Sequence, residues 1–173
     1  MRIFEARYLD MVSQCLQHDS GFGVCLIRHG REVGESASTE NMGVVARITD
    51  WHQRHDGLLG ITTVGEQRFR IASVRVQDNQ LAVARVELLG SDPSIELPDK
   101  YLPLVDMLMR LIESAGHHYA SVPRHYADAS WVSYRLVELL PIEMPRKQLF
   151  LEMDDPLARL EELYRMLEGM QVV

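Results

Sequence analysis

The spacing of apolar residues changes once along this chain, near residue 91, and no other feature limits the fold as strongly. Before that point, apolar residues occur in short β-rich runs at 22–27, 42–48, 58–64, 68–76 and 81–89. The segment SDPSIELP at 91–98 contains two prolines and ends the alternation, and apolar residues then recur at helical spacing. The sequence therefore predicts an α+β fold, with a small antiparallel β-barrel over residues 1–92 and a helical bundle over residues 93–173.

Turn-forming residues separate the predicted strands. They occur in HGREVG at 29–34, RHDG at 54–57, VGEQ at 64–67 and QDNQ at 77–80. Within the fourth run the alternation changes parity at Ala72 and Ser73, which predicts a β-bulge. Ahead of the strands, a predicted short helix over 5–18 has one apolar face, which we expect to cover one end of the barrel. This face consists of Leu9, Val12, Cys15 and Leu16.

The second half contains four predicted helices. The first two span about 99–115 and 129–140, and Asp128 is the expected N-cap of the second. A short helix over 146–152 follows. The last helix has Asp155 as N-cap, Pro156 at its first position and Gly169 as its exit. These elements predict the helical bundle.

Composition excludes several classes of protein. Among the 173 residues, 18 basic and 25 acidic side chains give a net charge of −7, which disfavours binding to a phosphate backbone. No apolar run reaches the length of a membrane span, and the first residues do not resemble a secretory signal, so we expect a cytoplasmic protein. We expect Cys15 and Cys25 to be free thiols.

Sequence motifs of common enzymes are absent. The chain has no G-x-x-x-x-G-K-[ST] phosphate loop and no G-x-S-x-G nucleophile elbow. The carboxylate pairs Asp154-Asp155 and Glu161-Glu162 are typical of a helix cap and a solvated helix face. We therefore expect no catalytic residues and no cofactor.

Histidine is the one unusual count, with seven residues, and it leaves a metal site as an alternative. Several imidazoles lie close in sequence, and three of them together would suit zinc. Asp50 or Asp56 would complete a ligand set in DWHQRHD. The candidate ligands in this alternative are His52, His55, His117, His118 and His125.

Aromatic residues interleaved with arginine give a second alternative, a barrel that binds single-stranded RNA by stacking. The segments RFRI and QRHDGLL have this pattern. The net charge of −7 disfavours RNA binding. Arginines that alternate with inward-facing apolar residues are also typical of the solvent face of a barrel.

Two short motifs follow each other along the chain, F-E-x-R-Y at Phe4 to Tyr8 and G-x-x-R-F at Gly65 to Phe69. The helical half contains the segment KQLFLEMDDPLARLEELYRML at 147–167. In this order, the segments resemble the amino-terminal substrate-recognition domain of the Lon protease family, and the two motifs are the most specific pieces. The resemblance covers nearly the whole chain. It implies a barrel related to PUA domains, followed by a helical subdomain, that binds unfolded or degron-bearing polypeptide or a protein partner.

The same resemblance implies a module without enzymatic activity. The ATPase and peptidase modules of Lon proteases do not occur in these 173 residues. We expect candidate peptide contacts at Tyr8, Trp51, Leu58 and Trp131.

The family usually has a first strand upstream of the F-E-x-R-Y segment, and this sequence begins two residues before Ile3. If that strand is missing, its neighbour presents unpaired backbone groups. We therefore expect homodimerisation or peptide capture at that edge.

Overall fold

The chain divides into two compact units, Met1–Ser91 and Asp92–Val173. The computed structural model describes residues 1–31, 34, 37–119 and 122–169, except for the side chains of His117 and His118. The first unit is an antiparallel sheet with one helix, and the second is helical. The predicted α+β class is therefore confirmed. No helix in the described part of the chain has the length and hydrophobicity that a membrane span requires.

The first unit contains five strands and one helix in its described residues. The strands are β1 (Arg2–Ile3), β2 (Phe22–His29), β3 (Ser38–Gln53), β4 (Leu59–Val76) and β5 (Ala82–Leu88). All pairs are antiparallel, the order is β1-β4-β3-β2, and β5 pairs with the second half of β4. Helix α1 (Ala6–Gln17) lies between β1 and β2 in the chain.

The VGEQ segment is not the reversal that its composition predicted. It lies inside β4, which continues for 18 residues. Gly65 pairs with Ala46 and Arg68 pairs with Val44, so two residues of β4 oppose Val45 alone. This is a β-bulge, which absorbs the extra residue without ending the strand. The bulge predicted at Ala72 is confirmed, since the β4–β5 register shifts between Ile71 and Ser73.

Helix α1 packs on the sheet, although its buried face differs from the predicted one. Val12 and Cys15 are buried against a core with Phe22, whereas Leu9 and Leu16 are exposed. The prediction for these two leucines was wrong because the helix is turned so that Tyr8 and Met11 pack beside Val12.

The edge expected to be open beside the N-terminal segment is paired in part. Arg2 and Ile3 form β1 on Gly60 and Leu59 of β4. The N–H of Ile61 donates to the carbonyl of Met1 at 3.0 Å.

The second unit contains four α-helices in its described residues. They are α2 (Leu102–Ala115), α3 (Ala129–Leu139), α4 (Met144–Glu152) and α5 (Pro156–Gly169), with 3₁₀ turns at Asp99–Tyr101 and Gly116–Tyr119. Both predicted N-caps are confirmed. The Asp128 carboxylate accepts from the N–H of Ser130 at 2.8 Å, and that of Asp155 accepts from the N–H of Leu157 at 2.8 Å.

A buried arginine connects the segments of the helical unit. The side chain of Arg159 on α5 is 0% exposed and forms an ion pair with Asp92, whose side chain is 6% exposed. Its guanidinium also donates to Ser133 Oγ and to the carbonyl of Met153, both at 2.9 Å. It lies 3.6 Å from the ring centroid of Tyr134. The interior of this unit therefore depends on a neutralised cation as well as on apolar packing.

Candidate functional site

The second half of β4 and the whole of β5 form a two-stranded ribbon with unequal faces. Val76 pairs with Ala82, Val74 with Ala84, Ile71 with Val86 and Phe69 with Leu88. Directly paired residues of an antiparallel ladder point to the same side. The bulge at Ala72 restores the parity on β4, so all eight of these side chains share one face.

The outer part of this face is exposed and entirely apolar. We define the apolar ribbon face as Val74, Val76, Ala82, Ala84, Val86 and Leu88. All six are exposed, with Val74 at 52% and Leu88 at 54%. Exposed valine and leucine side chains are common singly, but a contiguous apolar set on one side of a ribbon is typical of an interaction surface.

The apolar ribbon face is continuous with the interior of the sheet unit. Leu88 pairs with Phe69, which is buried, and the Phe69 ring lies over Gly43 and Gly23. The ring comes so close that a Cβ at Gly43 would lie 2.6 Å from Phe69 Cζ. This close packing anchors one end of the ribbon, so the exposed apolar residues are held on an ordered strand pair.

The opposite face of the ribbon is charged. Arg70 pairs with Glu87, and Ser73 pairs with Arg85, so these side chains point away from the apolar ribbon face. Arg75 also lies on this side, opposite Val83. The ribbon is therefore amphipathic across its thickness.

Two of the residues predicted to contact peptide lie on the β3–β4 hairpin, away from the ribbon. Trp51 pairs with Ile61 and is 60% exposed. Leu58 is half-buried in the turn, where its N–H donates to Asp56 Oδ1 at 3.2 Å. The structure therefore brings these two residues onto one hairpin, and Trp51 has the exposure that a binding residue needs.

The other two predicted contacts have packing roles. Tyr8 is half-buried against the core of the sheet unit, and the Arg7 guanidinium lies 4.9 Å from its ring centroid. Trp131 belongs to the helical unit, where it packs edge-on against Tyr126 at 5.3 Å. Both side chains are half-buried, and part of each stays accessible.

The described residues contain no group of three or more His, Cys, Asp or Glu side chains that could hold a metal ion. The imidazole of His52 lies over Gly60, and His55 lies in the adjoining turn. His125 contacts the Trp131 ring edge-on at 6.0 Å. The side chains of His117 and His118 lie outside the described residues.

The two cysteines are free thiols, as predicted. Cys15 is buried, and its thiol donates to the carbonyl of Gly21 at 3.5 Å. Burial raises the pKa of the Cys25 thiol, which favours the unreactive protonated form. Neither cysteine therefore has the environment of a nucleophile.

Comparison with known proteins gives the family. A family model described as the ATP-dependent protease La (LON) substrate-binding domain matches residues 1–169. The chain belongs to this family. A crystal structure of a Lon N-terminal domain protein from Xanthomonas campestris has a TM-score of 0.78 and 35% identity, over 95% of this chain and 86% of that one. The resemblance found in the sequence is thus confirmed.

A second solved structure is more distant and supports the fold alone. The N-terminal domain of the Mycobacterium avium complex Lon protease has a TM-score of 0.58 and 18% identity, over 94% of this chain and 85% of that one. A comparison with curated proteins gives no significant match. Membership of the Lon substrate-binding family supports the interpretation of this chain as a substrate-recognition module.

The apolar ribbon face was missed in the sequence although its signal is visible there. The segment SVRV alternates strictly and AVARVEL alternates except at Val83, and such alternation was interpreted as an inward face. Alternation shows that two faces differ in polarity. It does not show which of them another element covers, and here the apolar face is uncovered among the described residues.

Proposed function

We propose that this Lon substrate-binding domain is a non-catalytic module that binds unfolded or degron-bearing polypeptide without nucleotide or cofactor. The observation that carries the proposal is the apolar ribbon face, in a chain whose family is named for substrate binding. An unfolded polypeptide exposes apolar side chains, and covering them against Val74, Val76, Val86 and Leu88 removes apolar surface from water on both partners.

The ribbon suits varied clients because its apolar side chains are small and aliphatic. Such a surface offers contact area without buried polar groups that a client would have to match, so it discriminates weakly between sequences. Trp51, Leu58, Tyr8 and Trp131 stay predicted contacts. Of these, Trp51 is the most exposed, and its emission reports on a client that reaches the hairpin.

The test is a binding isotherm on matched valine variants. The probe is fluorescein-labelled α-lactalbumin, reduced and carboxymethylated so that it stays unfolded, followed by anisotropy without nucleotide. Saturable binding is expected for the wild-type chain. The double variant V74S/V86S is expected to bind about tenfold more weakly, because it removes apolar contact area from the ribbon.

The control variant is Val64→Ser. Val64 lies on the same strand, is 53% exposed and pairs with Arg47, outside the ribbon. The dissociation constant of the V64S variant for the labelled α-lactalbumin is expected to stay within about twofold of wild type. Equal weakening by V64S and V74S/V86S would exclude the ribbon as the binding surface. Failure of the wild-type chain to bind at about 1 mM would exclude the proposed function.

A further inference from the structure

Strand β5 is a regular edge strand with unusual exposure. Among the described residues it pairs with β4 alone, and six of its seven residues are exposed. Each residue of β5 from Ala82 to Leu88 has a partner on β4, and the residue left without one is Ala72, which belongs to β4. By contrast, the register of β2 with β3 shifts twice, between Cys25 and Ile27 and between Ile27 and His29. Bulges protect an edge from further pairing, and β5 lacks one.

The backbone direction along β5 can be assigned from its two ends. Leu89 donates its N–H to the carbonyl of Arg68, and the carbonyl of Leu81 accepts from the N–H of Gln77. Residues 81 and 89 therefore point their backbone groups toward β4, and this direction alternates along a strand. It follows that Ala82, Ala84, Val86 and Leu88 point their N–H and C=O groups outward, where a further strand would pair.

The side chains of β5 carry opposite charges two residues apart. Arg85 and Glu87 precede and follow Val86 in the sequence. Their side chains lie on the charged face of the ribbon, and both are exposed. If a second copy of β5 pairs antiparallel with Val86 opposite Val86, Arg85 of each copy lies directly opposite Glu87 of the other. Opposite charges directly across an antiparallel pair are stabilising.

This register also satisfies the backbone. Val86 faces Val86, and Ala84 faces Leu88 of the second copy, so the residues with outward backbone groups meet and form about six hydrogen bonds. Centring the pair on Arg85 would place the two arginines opposite each other, and centring it on Glu87 would do the same for the two glutamates. The charges therefore select one register among those that the backbone allows.

We infer that two copies of this chain associate through β5, in an antiparallel and two-fold symmetric pair centred on Val86. The inference does not depend on the proposed function. Arg85 has no ion pair within the described residues of its own chain, and the second copy supplies one. Glu87 would lie between Arg70 of its own chain and Arg85 of the second copy. The two apolar ribbon faces would lie on the same side of one extended sheet.

Charge-reversed variants of the full chain test the pairing and its register. Sedimentation equilibrium over about 5 to 500 µM is expected to show a monomer–dimer equilibrium for the wild-type chain. Arg85→Glu and Glu87→Arg are each expected to weaken dimerisation about tenfold or more, since each turns two attractive pairs into repulsive ones. The double variant R85E/E87R restores both pairs, so its dimerisation constant is expected within about twofold of wild type.

Mixing the two single variants is the decisive arm. In a heterodimer of R85E with E87R, each acidic residue faces an arginine, so heterodimers are expected where neither variant self-associates. The control Arg110→Glu makes the same charge change at an exposed position on α2 and is expected to have no effect. A monomeric wild type over the whole range, or no rescue in both the double variant and the mixture, would overturn the inference. Circular dichroism of each variant shows that it is folded.

Discussion

Replacing Arg159 by methionine is expected to lower the free energy of unfolding of the helical unit by about 3–5 kcal/mol, because the buried Asp92 carboxylate loses its guanidinium partner. The variant also removes the donors to Ser133 Oγ and to the carbonyl of Met153. The measurement is urea unfolding, followed by the fluorescence of Trp131 in a Trp51→Phe background, since Trp131 lies in the helical unit.

The matched control for Arg159 is on the same helix. Arg165 is 68% exposed and its Nε is 3.0 Å from Glu161 Oε1. Arg165→Met is expected to change the unfolding free energy by less than about 1 kcal/mol, because water screens an exposed ion pair. The double variant D92N/R159M is expected to be more stable than R159M, since it removes the buried carboxylate charge that Arg159 had neutralised. If R159M were no less stable than R165M, the buried ion pair would not hold the helical unit together.

Replacing Gly43 by alanine is expected to destabilise the sheet unit by about 3 kcal/mol, because the space beside it is already filled. A Cβ at this position would lie 2.5 Å from both Cys25 Sγ and the carbonyl oxygen of Val24. The carbonyl belongs to the paired strand β2 and cannot move without breaking the ladder. The measurement is urea unfolding followed by Trp51 fluorescence in a Trp131→Phe background.

Gly90 supplies the comparison for this prediction. A Cβ there would meet no atom within 4 Å. Gly90→Ala is expected to alter the unfolding free energy by less than about 0.5 kcal/mol. Equal stabilities of the Gly43→Ala and Gly90→Ala variants would show that the packing of Phe69 over Gly43 is looser than the structure indicates.

Local signals in the sequence predicted much of the fold. Asp128 and Asp155 were predicted as N-caps because a short side-chain oxygen ahead of an apolar-periodic segment satisfies free N–H groups. The bulge at Ala72 was predicted because an extra residue in one strand accounts for a change of parity in the alternation. These features depend on neighbours within a few residues, and for that reason the sequence contains them.

Features that depend on distant partners were not predictable in this way. The bulge after Gly65 was interpreted as a reversal because glycine and polar residues suit both, and only the register with β3 distinguishes them. Arg159 gave no signal of burial, since arginine is mostly exposed unless a partner such as Asp92 is buried with it. The exposure of the apolar ribbon face likewise depends on which elements pack elsewhere.

The most direct test of client binding at the apolar ribbon face is amide hydrogen exchange of the chain with and without unfolded α-lactalbumin, read by mass spectrometry of peptides along the sequence. It is carried out in the Arg85→Glu background, so that pairing of β5 between copies does not slow exchange by itself. Client binding is expected to slow exchange within residues 74–88, where the apolar ribbon face lies. Saturable binding that leaves exchange in residues 74–88 unchanged and protects another segment would show that the client binds elsewhere.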